Sequence, residues 1–300
     1  MARGIGVRYG ENGLRSVTVE RSGDQYAVSD IAAAPWTGDV HSFLVEHGLP
    51  VEDASVAVGL GPGAFLSAFM AREDGMDDAD MEELLRWEMG RKILGEPDEW
   101  SFGFASEGGT GFLFATRKAV VDSLYSAGTE HPFVDVEPLA LSNACQSAGD
   151  ITDESAIIVS LEAEGVSSIA VDGGLTVAVE SFSARREEWI EKLPGLNFIG
   201  KEIFDEEAAA QFAKYANGSI ARITSRLGNG WKTSRIVLAG GGVYTGNVVE
   251  KIAAKNRVPT SIFNPFTSKR VKTSFISPRI ASIGSAFTVC FGLAVRAIGE

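Results

Sequence analysis

The chain has 300 residues, of which 45% are apolar, and its 27 basic and 40 acidic side chains give a net charge of −13. This is the length of one large domain or two ordinary ones, with enough apolar content for a substantial core, which excludes disorder for the chain as a whole. The acidic balance also lacks the footprint that neutralises phosphates, so nucleic acid is not an expected partner, and Lys269, Arg270 and Lys272 read as a solvated strand edge.

Residues 4–9 and 16–20 have strand character around Glu11-Asn12-Gly13, where Asn-Gly is a hairpin signal. Residues 25–31 supply a third strand, and 39–47 a short helix stopped by Gly48. The apolar run 54–60 ends at the breaker cluster Gly61-Pro62-Gly63, as a buried strand does. Residues 65–72 read as a strand. Over 77–94 an acid-led helix places Met81, Leu84, Leu85, Met89 and Ile93 on one broad face. Residues 101–105 and 111–115 form a hairpin around Gly108-Gly109, and 118–125 a helix ended by Gly128. This block has the texture of a small α+β insertion. After it come a strand at 133–137, a helix at 139–148 and a polar linker at 150–154.

A new hairpin, 156–161 and 166–171, turns at Glu162-Ala163-Glu164-Gly165, with a third strand at 175–182. Residues 203–227 carry Phe204, Ala208, Phe212, Tyr215, Ile220, Ile223 and Leu227 at helical spacing and stop at Gly228-Asn229-Gly230. A buried strand at 236–239 runs into Gly240-Gly241-Gly242, followed by a helix over 246–255 and a strand at 261–263. Residues 280–295 are uncharged but shorter than the roughly 20 residues that span a bilayer. Gly284, Ser285, Thr288 and Gly292 dilute the run, and Ile280, Ile283, Phe287, Phe291 and Val295 recur at helical spacing, so one buried helix is expected. Each half opens with a hairpin and a third strand and then moves into helices. Two related α/β lobes follow, the second opening near residue 155.

Cys145 and Cys290 sit in apolar stretches with no partner at metal or redox spacing and read as buried free thiols. His41, His47 and His131 show no zinc-ligand spacing. The N-terminus has neither an uninterrupted apolar segment nor a small-residue cleavage site, so a signal peptide is not expected and the reading is cytoplasmic.

Several segments, taken in order, carry a resemblance. They are Val56-Ala57-Val58-Gly59-Leu60-Gly61-Pro62-Gly63, Met81-Glu82-Glu83-Leu84-Leu85-Arg86-Trp87-Glu88 and Phe114-Ala115-Thr116-Arg117-Lys118-Ala119-Val120. Val134-Asp135-Val136-Glu137-Pro138-Leu139-Ala140-Leu141, Leu238-Ala239-Gly240-Gly241-Gly242, Asn264-Pro265-Phe266 and Phe291-Gly292-Leu293-Ala294-Val295-Arg296 complete the set. The order resembles the PilM family, actin-like cytoplasmic proteins of the type IV pilus inner-membrane platform, related to the cell-division protein FtsA. The resemblance implies an α/β, actin-like (ribonuclease-H-like) two-lobed fold with a small α+β insertion in the first lobe. Residues 1–63 and 132–154 would form the first lobe around an insertion at 64–131. Residues 155–278 would form the second lobe, with a helical subdomain at about 183–232, and 279–300 a C-terminal helix packed on the fold.

Actin-fold ATPases grip nucleotide with one hairpin loop per lobe. Backbone N–H groups of small residues cradle phosphate, and an Asp in each loop positions magnesium or the attacking water. The family's first loop, approximately Gly-Ile-Asp-Ile-Gly, aligns with Gly4-Ile5-Gly6-Val7-Arg8, so Gly6 replaces the acid, Arg8 replaces a glycine, and Tyr9 stands where a small residue is expected. The second loop should read Asp-Ile-Gly and reads Ser160-Leu161-Glu162. Glu162 and Glu164 would repel a triphosphate unless a cation intervened. Gly240, Gly241 and Gly242 keep the Gly-rich turn on which adenosine would lie, although close helix–strand packing explains such a triplet equally well. Two readings stand: Arg8 offsets the lost magnesium and nucleotide binds without hydrolysis, or the cleft is a relic. In both, no catalytic residue, no metal and no cofactor is expected, ATP with magnesium being the one alternative.

In the family the insertion and first lobe form a groove for the cytoplasmic N-terminal peptide of a single-spanning inner-membrane platform protein. The resemblance implies that partner, contact with motor ATPases, self-assembly, and a place at the cytoplasmic side of the inner membrane. Trp87, Trp100, Phe102 and Phe104 are the large apolar residues nearest such a groove, and core packing is the simpler account of each taken alone. The expected function is a non-enzymatic assembly scaffold. One alternative is the cytoplasmic region of a type II secretion platform protein, which normally continues into a transmembrane helix, whereas this sequence ends at Glu300 without one. The other is an active ATPase or sugar kinase on the same fold, which needs a catalytic Asp where Gly6 and Ser160 stand.

Overall fold

The computed structural model describes residues 2–10, 13–35, 39–49, 51–124, 133–149, 155–183, 206–274 and 276–299. β1 (Ala2–Gly10), β2 (Gly13–Ser22) and β3 (Gln25–Ala34) form an antiparallel meander. Helix α1 (Val40–Glu46) starts where Asp39 Oδ1 accepts the Ser42 N–H at 2.8 Å, a side-chain cap on an otherwise orphaned donor. The chain then returns as β4 (Ser55–Leu60), parallel to β1.

Between β4 and the next strand of that sheet lies a separate three-stranded sheet with its own helix. β5 (Leu66–Ala71) leads into α2 (Asp78–Gly90), which a reciprocal box caps: Asp77 Oδ1 accepts the Asp80 N–H, and Asp80 Oδ2 accepts the Asp77 N–H. β6 (Trp100–Glu107) and β7 (Thr110–Arg117) pair across the Gly108-Gly109 turn, and α3 (Lys118–Asp122) closes the block. Alternation gives this sheet two apolar faces. Ala68, Leu113 and Ala115 lie under Leu85 and Met89 of α2, while Phe112 and Phe114 join the main core.

β8 (Phe133–Val136) pairs parallel to β4 and continues into α4 (Glu137–Ala148), ended by Gly149 at φ +70°. β9 (Ala156–Glu162), β10 (Gly165–Asp172) and β11 (Leu175–Ser183) repeat the antiparallel meander. Helix α5 (Glu206–Leu227) packs on β9, β10 and β11 through Ala209, Phe212, Ala216 and Ile223. β12 (Arg235–Ala239) lies parallel to β9, α6 (Val248–Asn256) follows, and β13 (Thr260–Ile262) lies parallel to β12. β14 (Val271–Lys272) adds to the outer edge of β3, which makes the Lys269–Lys272 region a strand edge as its charges suggest. The sheets run β14-β3-β2-β1-β4-β8 and β11-β10-β9-β12-β13. Leaving β14 aside, each reads third, second, first, fourth, fifth. The two lobes are versions of one α/β unit.

The expected single helix over 280–295 is three pieces: α7 (Pro278–Ser282), a 3₁₀ turn at Gly284–Phe287, and α8 (Thr288–Gly299). At the break Gly284 lies tightly against Asn264 and Phe266; a Cβ there would fall 2.1 Å from Asn264 Oδ1. Ile283, Phe287 and Phe291 are all buried, so the apolar spacing is real although it does not belong to one helix. α8 crosses β1, β2, β4 and α4, and so packs against first-lobe strands. A Cβ at Gly292 would fall 1.8 Å from the Ala140 carbonyl oxygen, so only glycine lets the two helices approach this closely. Both cysteines are buried, and neither is in a disulfide. Among the described residues no helix is long and apolar enough to cross a membrane. The hairpin tip at residues 11–12, the end of the expected helix 118–125 with Gly128, the linker 150–154 and the part of the expected helical subdomain before Glu206 lie outside the described residues.

Candidate functional site

The two lobes meet where the β1–β2 hairpin, the β9–β10 hairpin and the first turn of α4 converge. Arg8 on β1 and Arg15 on β2 are directly opposed in the antiparallel register. Like charges at such a position repel unless anions are placed between them. The second lobe supplies those anions. Arg15 Nη2 donates to Glu162 Oε2 at 2.5 Å, and Arg8 Nε lies 3.8 Å from Glu162 Oε1. Arg8 Nη2 donates to Glu164 Oε1 and, at 3.3 Å, to Glu137 Oε2 at the start of α4. Arg8 is 2% exposed and Glu137 fully buried, and Glu162 and Glu164 are also buried. The result is a closed cluster of two guanidinium groups and three carboxylates shared between the lobes.

Burial drives the electrostatics here. It pushes the Glu137 carboxyl up from 4.5 to about 7; Arg8 pulls it back down, while Glu162 and Glu164 push it further up. For Arg8, burial pushes the pKa down, but Glu162, Glu164 and Glu137 together outweigh it and hold the guanidinium well above its usual value. Nearby, the Cys290 thiol donates to the Arg15 carbonyl oxygen at 3.2 Å, and burial pushes it up to about 11, against the pull of Arg15 and Arg8. That thiol is inert at neutral pH.

The sequence-identified positions fall around this cluster in different ways. Gly6 faces α8: a Cβ there would fall 1.9 Å from the Cys290 carbonyl oxygen, so an Asp side chain has no room at this position. Ser160 is fully buried in β9, between Ala239 of β12 and Ser167 of β10. The Gly240-Gly241-Gly242 turn packs on the same hairpin that carries Glu162. Gly240 sits at φ +89° and donates its N–H to the Ser285 carbonyl oxygen at 3.0 Å, and a Cβ on it would lie 2.4 Å from the Leu161 carbonyl oxygen. A Cβ on Gly242 would lie 2.8 Å from Leu161 Cβ. Close packing therefore accounts for both of these glycines.

A magnesium-bound triphosphate does not fit these residues. Arg8, the cation that β1 aims into the cleft, is already bonded to carboxylates of the chain. Glu162 and Glu164 bring further carboxylates to the same hairpin, and these repel a triphosphate. Among the described residues no group of three or more His, Cys, Asp or Glu side chains is arranged to hold a metal ion. Chemically, the arrangement joins the two lobes through buried ion pairs.

Arg15 and Glu137 escape sequence reading because their neighbours come from far along the chain, Glu137 lying 129 positions from Arg8. The one local signal is Glu137 preceding Pro138, a helix-start pattern. The four aromatic candidates also separate. Trp100, Phe102 and Phe104 alternate along β6 on the face that α2 shares, with the Arg117 and Arg86 guanidinium groups 4.8 Å and 4.9 Å from the Trp100 and Phe102 rings. Trp87 stands apart on α2 and is 68% exposed.

The profile of a protein family described as "Type IV pilus assembly protein PilM" matches residues 224–298, from the end of α5 to α8. No curated protein sequence matches the chain. Among solved structures, a PilM–PilN type IV pilus biogenesis complex superposes with a TM-score of 0.66, at 21% identity over 98% of both chains. A Bacteroides thetaiotaomicron protein of actin-like ATPase fold and unknown function gives 0.52, at 10% identity over 87% of this chain and 90% of that one. The activator of 2-hydroxyisocaproyl-CoA dehydratase from Clostridium difficile, solved with ADPNP, gives 0.50, at 11% identity over 99% and 95%. At these identities the superpositions establish the two-lobed actin-like fold. The chain is PilM-like in fold, as judged by the PilM–PilN superposition, and in sequence profile over residues 224–298.

Proposed function

We propose that this chain is a non-enzymatic actin-fold scaffold of a type IV pilus or related inner-membrane platform. It binds the cytoplasmic N-terminal peptide of a single-spanning platform protein and sits at the inner membrane through that partner. Contacts with a motor ATPase and with further copies of itself belong to the same reading. The observation that supports it is the buried Arg8–Glu137–Glu162–Glu164 cluster, in which the chain's own charges pair where the β1–β2 and β9–β10 hairpins meet. The likeness to a PilM–PilN complex supports the choice of partner class. The peptide site is the junction of the first lobe with the segment 64–131, a part of the fold that has no role in nucleotide chemistry.

The test is a titration of fluorescent synthetic peptides, copied from the cytoplasmic N-termini of single-spanning membrane proteins encoded beside this chain, followed by photo-crosslinking. Saturable binding of one peptide with crosslinks in the first lobe or residues 64–131 is expected. Crosslinks confined to the second lobe, or no binding by any of them, would contradict the proposal.

A further inference from the structure

Helix α2 buries Met81, Leu85 and Met89 against β5 and β7. By the 3.6-residue period, Asp80, Glu83, Leu84 and Trp87 form the opposite stripe. Leu84 is 46% exposed and Trp87 68%. With Met76 they floor a groove of about 770 Å³, rimmed by Glu73, Asp74, Asp80 and Glu83. A single exposed apolar residue needs no account, but a leucine and an indole side by side in a concave surface mark an interaction site.

The charges identify the partner's chemistry. Other acids of this helix have a cation: Asp78 pairs with Arg72, Glu82 with Arg86 at 2.6 Å, and Glu88 with Lys92 at 2.7 Å. Asp80 is engaged in the helix cap. Among the described residues no lysine, arginine or histidine is ion-paired with Glu73, Asp74 or Glu83, so the three carboxylates beside the apolar floor are uncompensated. The indole already accepts one cation, the Arg91 guanidinium 5.4 Å from its centroid. A second copy of the chain would bring another −13 of charge, which opposes self-docking on this acidic face.

We infer that the outer groove of α2 docks a cationic amphipathic helix of another protein. Its apolar side chains rest on Met76, Leu84 and Trp87, and its lysines or arginines lie among Glu73, Asp74 and Glu83. This surface goes beyond the platform-peptide site, because Phe112 and Phe114 on the other face of the same sheet are the ones that turn toward the lobes.

The experiment measures fluorescence anisotropy of a labelled amphipathic leucine–lysine peptide of about four helical turns against the full chain. Controls are a scrambled peptide of the same composition and a leucine–glutamate counterpart. The leucine–lysine helix should bind saturably, with both controls about tenfold weaker or worse. Trp87→Ala, and separately Glu73→Gln with Asp74→Asn and Glu83→Gln, should each weaken it about tenfold, and the triple variant should also flatten the salt dependence. Trp87 is exposed, so its variant should keep the parent's melting temperature and remain a valid test if the triple variant misfolds. Equal binding by the scrambled peptide, or unchanged binding by Trp87→Ala, overturns the inference. So does self-association in sedimentation that Trp87→Ala abolishes, which would assign the groove to a second copy.

Discussion

Removing Arg8 would take the cation from Glu137 and Glu164 and leave Glu162 to Arg15 alone, all in a buried site. Breaking one side of a buried pair costs about 3–5 kcal/mol, because the abandoned charge keeps its desolvation penalty. Arg8→Met should therefore destabilise the chain by about that amount in urea unfolding, and a loss below about 1 kcal/mol would show that the cluster is solvated. Glu137 gives a second, pH-dependent reading. Its folded pKa is raised from 4.5 to about 7, so its contribution to stability is fully present below 4.5 and is lost as the pH rises through 7. Glu137→Gln removes that titration while keeping an acceptor for Arg8. Between pH 4.5 and 8 the variant should gain on the parent by something on the order of 3 kcal/mol, read from paired melting curves, and parallel curves would contradict the assignment. Arg8 announces itself in the sequence as an odd residue in a glycine-rich strand. Glu162 and Glu164 are legible as acids of the second hairpin's turn, whereas nothing local in Glu137 or Arg15 says that either joins them.

At the scale of elements, local signals are legible wherever they are strong. Asp39 and Asp77 start helices, Gly48 and Gly149 stop them, and Gly108-Gly109 turns a hairpin. The apolar run after Ser277 misleads, because hydrophobic spacing persists through a break at Gly284, which lies against Asn264 and Phe266, distant in sequence. Glycines in helices make this distinction testable. Gly292→Ala would drive a methyl group into the Ala140 carbonyl, forcing α8 off α4 at a cost of about 1–3 kcal/mol or more. Gly218, inside α5, has open space where a methyl group would sit, with nothing within 4 Å. Gly218→Ala should therefore raise stability by about 0.5–1 kcal/mol through helix propensity alone. Differential scanning calorimetry of the pair reads both signs, and an unchanged or raised melting temperature for Gly292→Ala would contradict the packing described for α8.

For the whole molecule, the repeated sheet order shows two lobes of common design that meet through their first hairpins. In an actin-fold ATPase those hairpins meet around nucleotide; here they meet around Arg8, Arg15 and three glutamates. The repeat is readable from the rhyme of hairpins and helices. That the space is filled from within requires the three-dimensional structure, because the filling groups come from opposite halves of the chain. The most direct measurement is a calorimetric titration of magnesium–ATP into the full chain at neutral pH. No saturable heat is expected up to about 1 mM nucleotide, a limit equivalent to about −4 kcal/mol of binding. A one-to-one isotherm with a Kd near or below about 1 μM, weakened by Glu162→Ala, would contradict it.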